Sequence, residues 1–355
     1  MRPSRPLAAL ALSIVLWASM ALPAFAAPLQ VPAPPREGGL ASPTAPTISA
    51  PSWVIYDADA GVVLSETQAD VERPMASTTK MMTALLALKY GDLDDMVRVS
   101  EKAAAVGEAE VGLLPGERFP LRLLVTALVI RSANDAAMAV AEHIGGSVDG
   151  FVEMMNDEAE ALGLEHTHFE NPHGLDHEDH YSTANDLLHL GLAAMSYPEY
   201  REMASTLDAD FPDAPDGTER TLSSTNLMLE TYPGTIGVKT GYTNEAGLVF
   251  VAGAAREGRT LFAVVMGSDG RRAHFSDAGT LLDWGFEHFR GVGVVAAGSY
   301  KPPEPVRVVD ADPATPEPER EPVVITEVRE ADGEPLPLFE ALGWVGHLVT
   351  QIASD

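Results

Sequence analysis

The order of strand and helix patterns along the chain is the feature that most constrains its fold. Short apolar segments rich in β-branched and aromatic residues, bounded by turn-forming residues, occur at 53–56, 62–64, 236–240, 247–254 and 260–266. Apolar residues recur at helical spacing over 77–90, 121–130, 136–144, 151–162, 187–195 and 278–289. Strands at both ends that enclose a helical middle predict the mixed α/β (α+β) class, an antiparallel sheet packed by helices with a helical subdomain.

Two of these patterns also predict local detail. The segment 256–259, Arg-Glu-Gly-Arg, joins the last two strand patterns and is typical of a hairpin turn. Ser77 stands where an N-cap residue would begin the helix 77–90, and Gly91 stands just past its end. Because that helix is apolar on most sides, we expect it to be buried.

The N-terminal segment predicts the compartment of the protein. Arg2 and Arg5 precede an apolar run at 7–22, and the small residues Ala24 and Ala26 follow it. This arrangement is typical of a secretory signal peptide at 1–26 that is cleaved after Ala26. We therefore expect an exported protein of the periplasm or another extracytoplasmic part of the cell envelope.

The sequence after the signal peptide changes in composition along its length and is expected to form four parts. These are a flexible leader (27–51), a folded domain (52–298), a Pro/Glu-rich linker (299–335) and an amphipathic C-terminal helix (336–355). Within the last part, the apolar face over 338–352 suggests either peripheral contact with a membrane or packing on protein. That helix carries Glu340 and has no Lys or Arg.

Charge and cysteine usage exclude several function classes. The chain has 23 Lys+Arg against 52 Asp+Glu, a formal net charge of −29. Such a surface repels phosphate backbones, which excludes nucleic acid as a partner. The chain has no cysteine, so it has neither disulfides nor a thiolate nucleophile nor a cysteine-bound metal.

Three short motifs occur in order and bring together the groups needed for nucleophilic catalysis. They are Ser-Thr-Thr-Lys at 77–80, Ser-Ala-Asn at 132–134 and Lys-Thr-Gly at 239–241. On a helix, Lys80 lies one turn from Ser77 and within reach of its hydroxyl. A serine hydroxyl needs a base, and a lysine serves as one only when burial or a second cation such as Lys239 lowers its pKa. Each motif alone is common; the ordered set is specific.

The set and its surroundings resemble the low-molecular-mass penicillin-binding proteins that act as D-alanyl-D-alanine carboxypeptidases. The matching segments are 76–83 (ASTTKMMT), 132–136 (SANDA), 169–175 (FENPHGL), 180–184 (HYSTA), 239–243 (KTGYT) and 281–286 (LLDWGF). The resemblance spans about residues 52–290 and implies a serine transpeptidase/β-lactamase-like fold. The middle residue of the second motif is Ala133, where the family usually has Gly or Asp.

The resemblance also implies a role for each motif residue. Ser77 would be the acylated nucleophile, Lys80 its proton acceptor and Ser132 the relay to the leaving group. The implied substrate-binding residues are Asn134, Lys239, Thr240, Gly241, Tyr242 and Arg272, with Ser77 N–H and Tyr242 N–H as the oxyanion hole. The implied substrate is the D-Ala-D-Ala end of peptidoglycan stem peptides, with β-lactams as covalent inhibitors and no cofactor.

Alternatives to this function come from different protein classes. Histidines cluster over 166–180, which raises a metal-dependent peptidase or a structural zinc, but no His-Glu-x-x-His sequence is present. A β-lactamase of the same fold would need an efficient deacylating base, and no Glu-x-x-Leu-Asn sequence lies between the second and third motifs. A non-catalytic wall-binding relative would be expected to lack Ser77, Lys80 or Lys239, and none is missing.

Overall fold

The computed structural model describes residues 44–289 of the chain. The predicted signal peptide, the leader up to residue 43, the linker (299–335) and the C-terminal helix (336–355) lie outside the described residues. No helix within the described range has both the length and the apolar character needed to cross a membrane.

The elements alternate along the chain much as the sequence patterns predict. The strands are β1 Ser52–Asp57, β2 Val62–Thr67, β3 Arg73–Pro74, β4 Met96–Arg98, β5 Arg118–Pro120, β6 Tyr181–Ser182, β7 Asp208–Asp210, β8 Thr221–Ser223, β9 Thr235–Thr243, β10 Gly247–Arg256 and β11 Arg259–Ser268. The helices are α1 Lys80–Tyr90, α2 Glu101–Ala104, α3 Leu121–Ile130, α4 Asn134–Gly145, α5 Val148–Leu162, α6 Ala184–Met195, α7 Pro198–Ser205, α8 Met228–Thr231 and α9 Ala273–His288.

The main sheet joins the two ends of the described chain. Its five strands run in the order β2-β1-β11-β10-β9, and each neighbouring pair is antiparallel. Val54 of β1 lies opposite Val264 of β11, and Arg256 pairs with Arg259 across the predicted hairpin. The predicted fold class, an antiparallel sheet packed by helices, is confirmed.

Helices cover both faces of this sheet. Because side chains alternate along a strand, Val54 and Val264 join the larger core with the helical subdomain, whereas their neighbours Ile55 and Val265 pack toward α9. In the larger core, α6 packs on β1 and β11, and α1 is surrounded by α3, α4, α5 and α6. The predicted burial of the 77–90 helix is therefore confirmed.

The start of that helix differs from the prediction. Ser77 is not an N-cap, because it lies inside a 3-10 turn, Ala76–Thr79, that runs directly into α1. The turn begins with the Thr78 hydroxyl and Thr78 N–H both bonded to the carbonyl of Met75. The Ser77 hydroxyl faces the side chain of Lys80 in the next turn. The 3-10 turn itself lies against β9.

Residues 44–51, which composition assigns to the flexible leader, are tied to α9. The Asp277 carboxylate accepts hydrogen bonds from Ser49 N at 3.1 Å, Ser49 Oγ at 2.6 Å and Ala50 N at 3.0 Å. Trp284 Nε1 donates to the carbonyl of Thr44 at 3.1 Å. The folded part therefore begins earlier than residue 52, because partners more than 200 positions away hold this irregular segment.

Candidate active site

The 3-10 turn and the first turn of α1 bring Ser77 and Lys80 together. Lys80 Nζ lies 2.9 Å from Ser77 Oγ, the distance of a hydrogen bond. Lys80 Nζ also lies 2.7 Å from Asn134 Oδ1 and 2.6 Å from the carbonyl oxygen of His173. Ser77 is half-buried, whereas Lys80 is fully buried. The Ser77 hydroxyl is therefore partly accessible to a substrate, and the Lys80 amine lies behind it in the protein interior.

The surroundings of Lys80 favour its neutral form. Burial lowers the pKa of the Lys80 amine well below its usual value, the positive charge of Lys239 lowers it further, and Asp135 opposes both. None of the three atoms that Lys80 Nζ contacts carries a full negative charge. A neutral amine at hydrogen-bonding distance from a serine hydroxyl can accept its proton.

The second motif lies between two helices. Ser132 follows α3 and has a backbone φ of 64°, a left-handed conformation that is uncommon for serine. Asn134 is the first residue of α4; its side-chain oxygen accepts from Lys80 and its Nδ2 donates to the carbonyl of Gly107 at 3.0 Å. The sharp change of direction at Ser132 places both side chains on the Lys80 side of the helices.

Lys239 reaches the same place from the sheet. It lies within β9, is almost fully buried, and its Nζ donates to Ser132 Oγ at 3.0 Å and to the carbonyl of Thr240 at 3.0 Å. Burial lowers the pKa of Lys239 to about 7. Lys239, Ser132, Lys80 and Ser77 thus form one cluster drawn from a strand, a loop and a helix start.

The rest of the third motif lines the edge of β9 that faces Ser77. The hydroxyls of Thr240 and Thr225 lie 2.6 Å apart. A Cβ added at Gly241 would lie 3.0 Å from Ser77 N and 3.1 Å from Thr78 N, so a larger residue there would push the strand and the turn apart by a few tenths of an ångström. The side chain of Tyr242 is 61% exposed at the end of this edge.

Comparison with known proteins shows which family the chain matches. The D-alanyl-D-alanine carboxypeptidase family matches residues 40–270 of the chain. The chain belongs to the D-alanyl-D-alanine carboxypeptidase family. The resemblance inferred from the motifs is confirmed, and the chain is a serine-type carboxypeptidase rather than the β-lactamase or metal-dependent peptidase that stood as alternatives.

Individual relatives agree with the family. D-alanyl-D-alanine carboxypeptidase DacA of Escherichia coli is 34% identical over 289 residues, which cover 77% of this chain and 70% of DacA. DacB2 of Mycobacterium tuberculosis is 39% identical over 243 residues, covering 67% of this chain and 82% of that protein. A Streptomyces DD-transpeptidase has a similar structure, with a TM-score of 0.65 at 32% identity, and the match covers 68% of this chain and 99% of that one.

Arg272 is the one predicted site residue that lies outside the segments matching the family. It lies just before α9, is exposed, and has a backbone φ of 60°. Ser268 at the end of β11 lies opposite Leu248 of β10, and Leu248 lies opposite Tyr242 of β9. Arg272, which follows β11, is therefore at the same end of the sheet as Tyr242. Its assignment as a second carboxylate contact stays a prediction.

Several residues that build the carboxypeptidase site were not predicted. The buried Asp135 carboxylate accepts from the N–H groups of Val111, Gly112, Leu113 and Ala136, which fixes the loop beside Asn134. Thr225 contacts Thr240 from outside the three motifs, and the carbonyl of His173 receives Lys80. Asp135 and His173 lie in the matching segments 132–136 and 169–175, but the sequence does not show which distant groups they contact.

Two of the clustered histidines, His173 and His180, are buried. His173 Nδ1 accepts from Leu175 N, and burial lowers the pKa of His173 to about 3. Of the described residues, the group that could hold a metal ion is Glu170, His177 and Asp179, whose ligand atoms lie within 4.8 Å of one another. His177 and Asp179 are exposed, and the contacts of Ser77 and Lys80 do not involve any of the three.

Proposed function

We propose that this carboxypeptidase removes the terminal D-alanine from peptidoglycan stem peptides through an acyl-ester on Ser77. The observation that carries the proposal is the 2.9 Å contact between Ser77 Oγ and the buried Lys80 amine, with Lys239 close enough to lower the Lys80 pKa. A nucleophile and its base are thus already within hydrogen-bond reach, as acyl transfer by serine requires.

In the acylation step, the neutral Lys80 amine takes the Ser77 proton as Oγ attacks the carbonyl carbon of the last peptide bond. The carbonyl π electrons move to oxygen, and this oxyanion is stabilised by Ser77 N–H and Tyr242 N–H. The intermediate collapses as the C–N bond breaks. Ser132 donates its hydroxyl proton to the departing nitrogen and takes the proton that the Lys80 ammonium holds, so Lys80 is neutral again and Ser132 is again a hydroxyl. Lys239, 3.0 Å from Ser132 Oγ, orients that hydroxyl. The products are the Ser77 ester and D-alanine.

Water completes the cycle. Lys80 accepts a proton from a water molecule as the water oxygen attacks the ester carbonyl, and Ser77 Oγ leaves and recovers a proton from Lys80. The shortened peptide is released as a carboxylic acid that loses its proton to solvent, and every group of the enzyme returns to its starting protonation state. No step requires a metal ion or an organic cofactor.

The substrate carboxylate explains why a buried cation is retained in the site. Lys239 and the Thr240 hydroxyl provide one positive charge and one hydrogen-bond donor for the terminal carboxylate, and Arg272 adds a second charge at the exposed end. Asn134 holds the substrate amide while its Oδ1 orients Lys80. A β-lactam carries a comparable carboxylate beside a reactive carbonyl, so it would acylate Ser77 and remain bound.

The remaining predictions place this activity outside the cytoplasm. The signal peptide at 1–26 would export the chain to the periplasm or cell envelope, where peptidoglycan lies. The apolar face of the 338–352 helix would give peripheral contact with the membrane. Both proposals rest on the sequence of segments outside the described residues.

One experiment tests the catalytic proposal. Purified full chain is incubated with a D-Ala-D-Ala pentapeptide and, separately, with a labelled penicillin. We expect D-alanine release and a covalent adduct, both abolished in Ser77→Ala. Ser147→Ala, which removes an exposed cap of α5, is the matched control and should keep both. Absence of D-alanine release, or an adduct that survives Ser77→Ala, would reject the proposal.

A further inference from the structure

His180 connects the 166–180 loop to the turn that carries the nucleophile. It is only 2% exposed; Glu170 N–H donates to its Nδ1 at 2.9 Å, and its Nε2 lies 2.7 Å from Thr79 Oγ1. Burial, together with nearby His168, His177 and Lys80, lowers the pKa of His180 to about 3, so the ring is neutral. Because Nδ1 accepts a hydrogen bond, the ring proton is on Nε2 and is donated to Thr79.

Thr79 continues this chain of hydrogen bonds to the residue before the nucleophile. Having accepted from His180, the Thr79 hydroxyl donates to the carbonyl of Ala76 at 2.7 Å. Ala76 has a backbone φ of 48°, a left-handed conformation that a residue with a Cβ adopts only when its surroundings hold it there. The hydroxyl of Thr79 and the ring of His180 provide such a hold.

The Ala76 carbonyl belongs to the same peptide plane as Ser77 N–H. The bond between the two residues is trans, so the oxygen and the N–H point in opposite directions, and fixing one fixes the other. Hydrogen bonding to the carbonyl also polarises the N–H at the far end of the plane. The space around Ser77 N is kept open by glycines, since a Cβ at Gly174 or Gly241 would lie 2.9 or 3.0 Å from it.

We propose that His180 is a positioning residue that acts through Thr79 and Ala76 to aim the Ser77 N–H at the oxyanion of the acyl-transfer transition state. The inference rests on the proposed function, in which that N–H is half of the oxyanion hole. His180 and Thr79 do not touch the substrate in this scheme. Their loss therefore reduces the stabilisation of the transition state and leaves ground-state binding unchanged.

The neighbouring Thr78 provides a matched control within the same turn. Its hydroxyl donates to the Met75 carbonyl at 2.6 Å, and like Thr79 it is fully buried. The peptide plane that Thr78 anchors carries the N–H of Ala76, not that of Ser77. A role in folding the turn would make the two threonines equivalent, whereas the proposed role separates them.

The test measures acylation of the full chain by a labelled penicillin in stopped flow, which separates the first-order acylation constant from the dissociation constant. We expect Thr79→Val and His180→Phe to lower the acylation constant on the order of tenfold to a hundredfold, with the dissociation constant within about twofold. Thr79→Ser, which keeps the hydroxyl, should restore most of the rate. The double variant should be no slower than the slower single variant, because both act through one chain.

Further measurements keep the outcome decisive. Thr78→Val should lower the acylation constant much less than Thr79→Val, and thermal unfolding should show that the compared variants are folded. If His180→Phe does not fold, the Thr79→Val and Thr79→Ser pair provides the test. Nitrogen-15 NMR of the unsubstituted chain should show His180 as the neutral tautomer protonated on Nε2.

The results distinguish this inference from the proposed function. An unsubstituted chain that forms no Ser77 adduct would contradict the proposed function and the inference with it. A normal adduct, formed at an unchanged rate by folded Thr79→Val, would overturn the positioning role alone. Protonation of His180 on Nδ1, or equal losses in Thr78→Val and Thr79→Val, would also overturn it.

Discussion

At the scale of single residues, the site depends on two buried lysines with different tasks. In the proposed mechanism, Lys80 must be neutral to accept a proton, whereas Lys239 must be charged to bind a carboxylate. Burial lowers the pKa of both amines, and the charge of Lys239 lowers that of Lys80 further. With a folded-state pKa of about 7 and an ordinary value of 10.5, Lys239 binds more protons when the chain is unfolded. Its contribution to stability therefore improves as pH rises between those values.

This coupling predicts how acylation depends on pH. Protonated Lys80 cannot accept the Ser77 proton, so the acylation rate should rise with pH through the lowered pKa of Lys80. Lys239→Gln removes the neighbouring charge, which should raise the Lys80 pKa and move the rising limb to higher pH. It should also weaken binding of a carboxylate substrate. The measurement is the acylation constant with a labelled penicillin across the pH range.

Lys89→Gln is the matched control for that prediction. Lys89 pairs with Glu158 and is not among the charges that act on Lys80, so its replacement should leave the limb in place. A limb that stays put or moves to lower pH in Lys239→Gln would show that Lys239 does not tune the base.

At the scale of elements, the packing of α9 on the sheet is decided by a close approach at one glycine. A Cβ at Gly285 would lie 2.8 Å from Cδ1 of both Ile55 and Leu261, closer than atoms in proteins pack. Gly279 of the same helix has only Tyr232 ring atoms nearby, at 3.6 Å, an ordinary van der Waals distance. There is therefore room for a methyl group at position 279 but not at position 285.

Replacing each glycine by alanine should change the free energy of unfolding in opposite directions. Gly279→Ala should raise the free energy of unfolding by about 0.5–1 kcal/mol, because alanine is the better helix former. Gly285→Ala should lower it by about 1–3 kcal/mol, because the added methyl clashes with the ends of the Ile55 and Leu261 side chains, which are fully buried and have little room to move. Urea unfolding of both variants checks the signs. A stabilised Gly285→Ala would mean that α9 has room to shift.

At the scale of the whole molecule, charge opposes the proposed membrane contact. The net charge of −29 repels anionic lipid, and the 338–352 segment carries no Lys or Arg to offset that repulsion. Any contact through this segment must come from its apolar side chains alone. The two contributions respond differently to salt, since only the electrostatic one is screened.

Apolar attraction and charge repulsion together predict how the chain binds vesicles. The full chain should bind vesicles that contain anionic lipid, and binding should strengthen as salt rises from about 0.05 to 0.5 M because screening removes repulsion. Deleting residues 336–355 should abolish binding and leave D-alanine release intact. Sedimentation with vesicles measures both. Equal binding by the shortened chain would place the contact elsewhere or remove it.

Sequence by itself determined the elements and the chemistry. The period of the apolar residues predicts α1, α3 and the strands β9 to β11. It does so because the buried face of a helix or strand is formed by residues that are close together in sequence. The order of the three motifs, with Ser77, Lys80 and Lys239, predicts a serine nucleophile activated by lysine. The family match confirms the fold and the carboxypeptidase class that these patterns indicate.

Tertiary structure alone decided how those groups are held. Ser77 lies in a 3-10 turn rather than at an N-cap, and Thr79 of that turn contacts His180, 101 positions away. Lys80 reaches the His173 carbonyl across 93 positions, and Lys239 reaches Ser132 across 107. Such contacts leave no periodic trace, because they depend on which loops the fold brings together. The residues of the proposed catalytic cluster could be named from the sequence, but the residues that hold them in place could be recognised only in the folded chain.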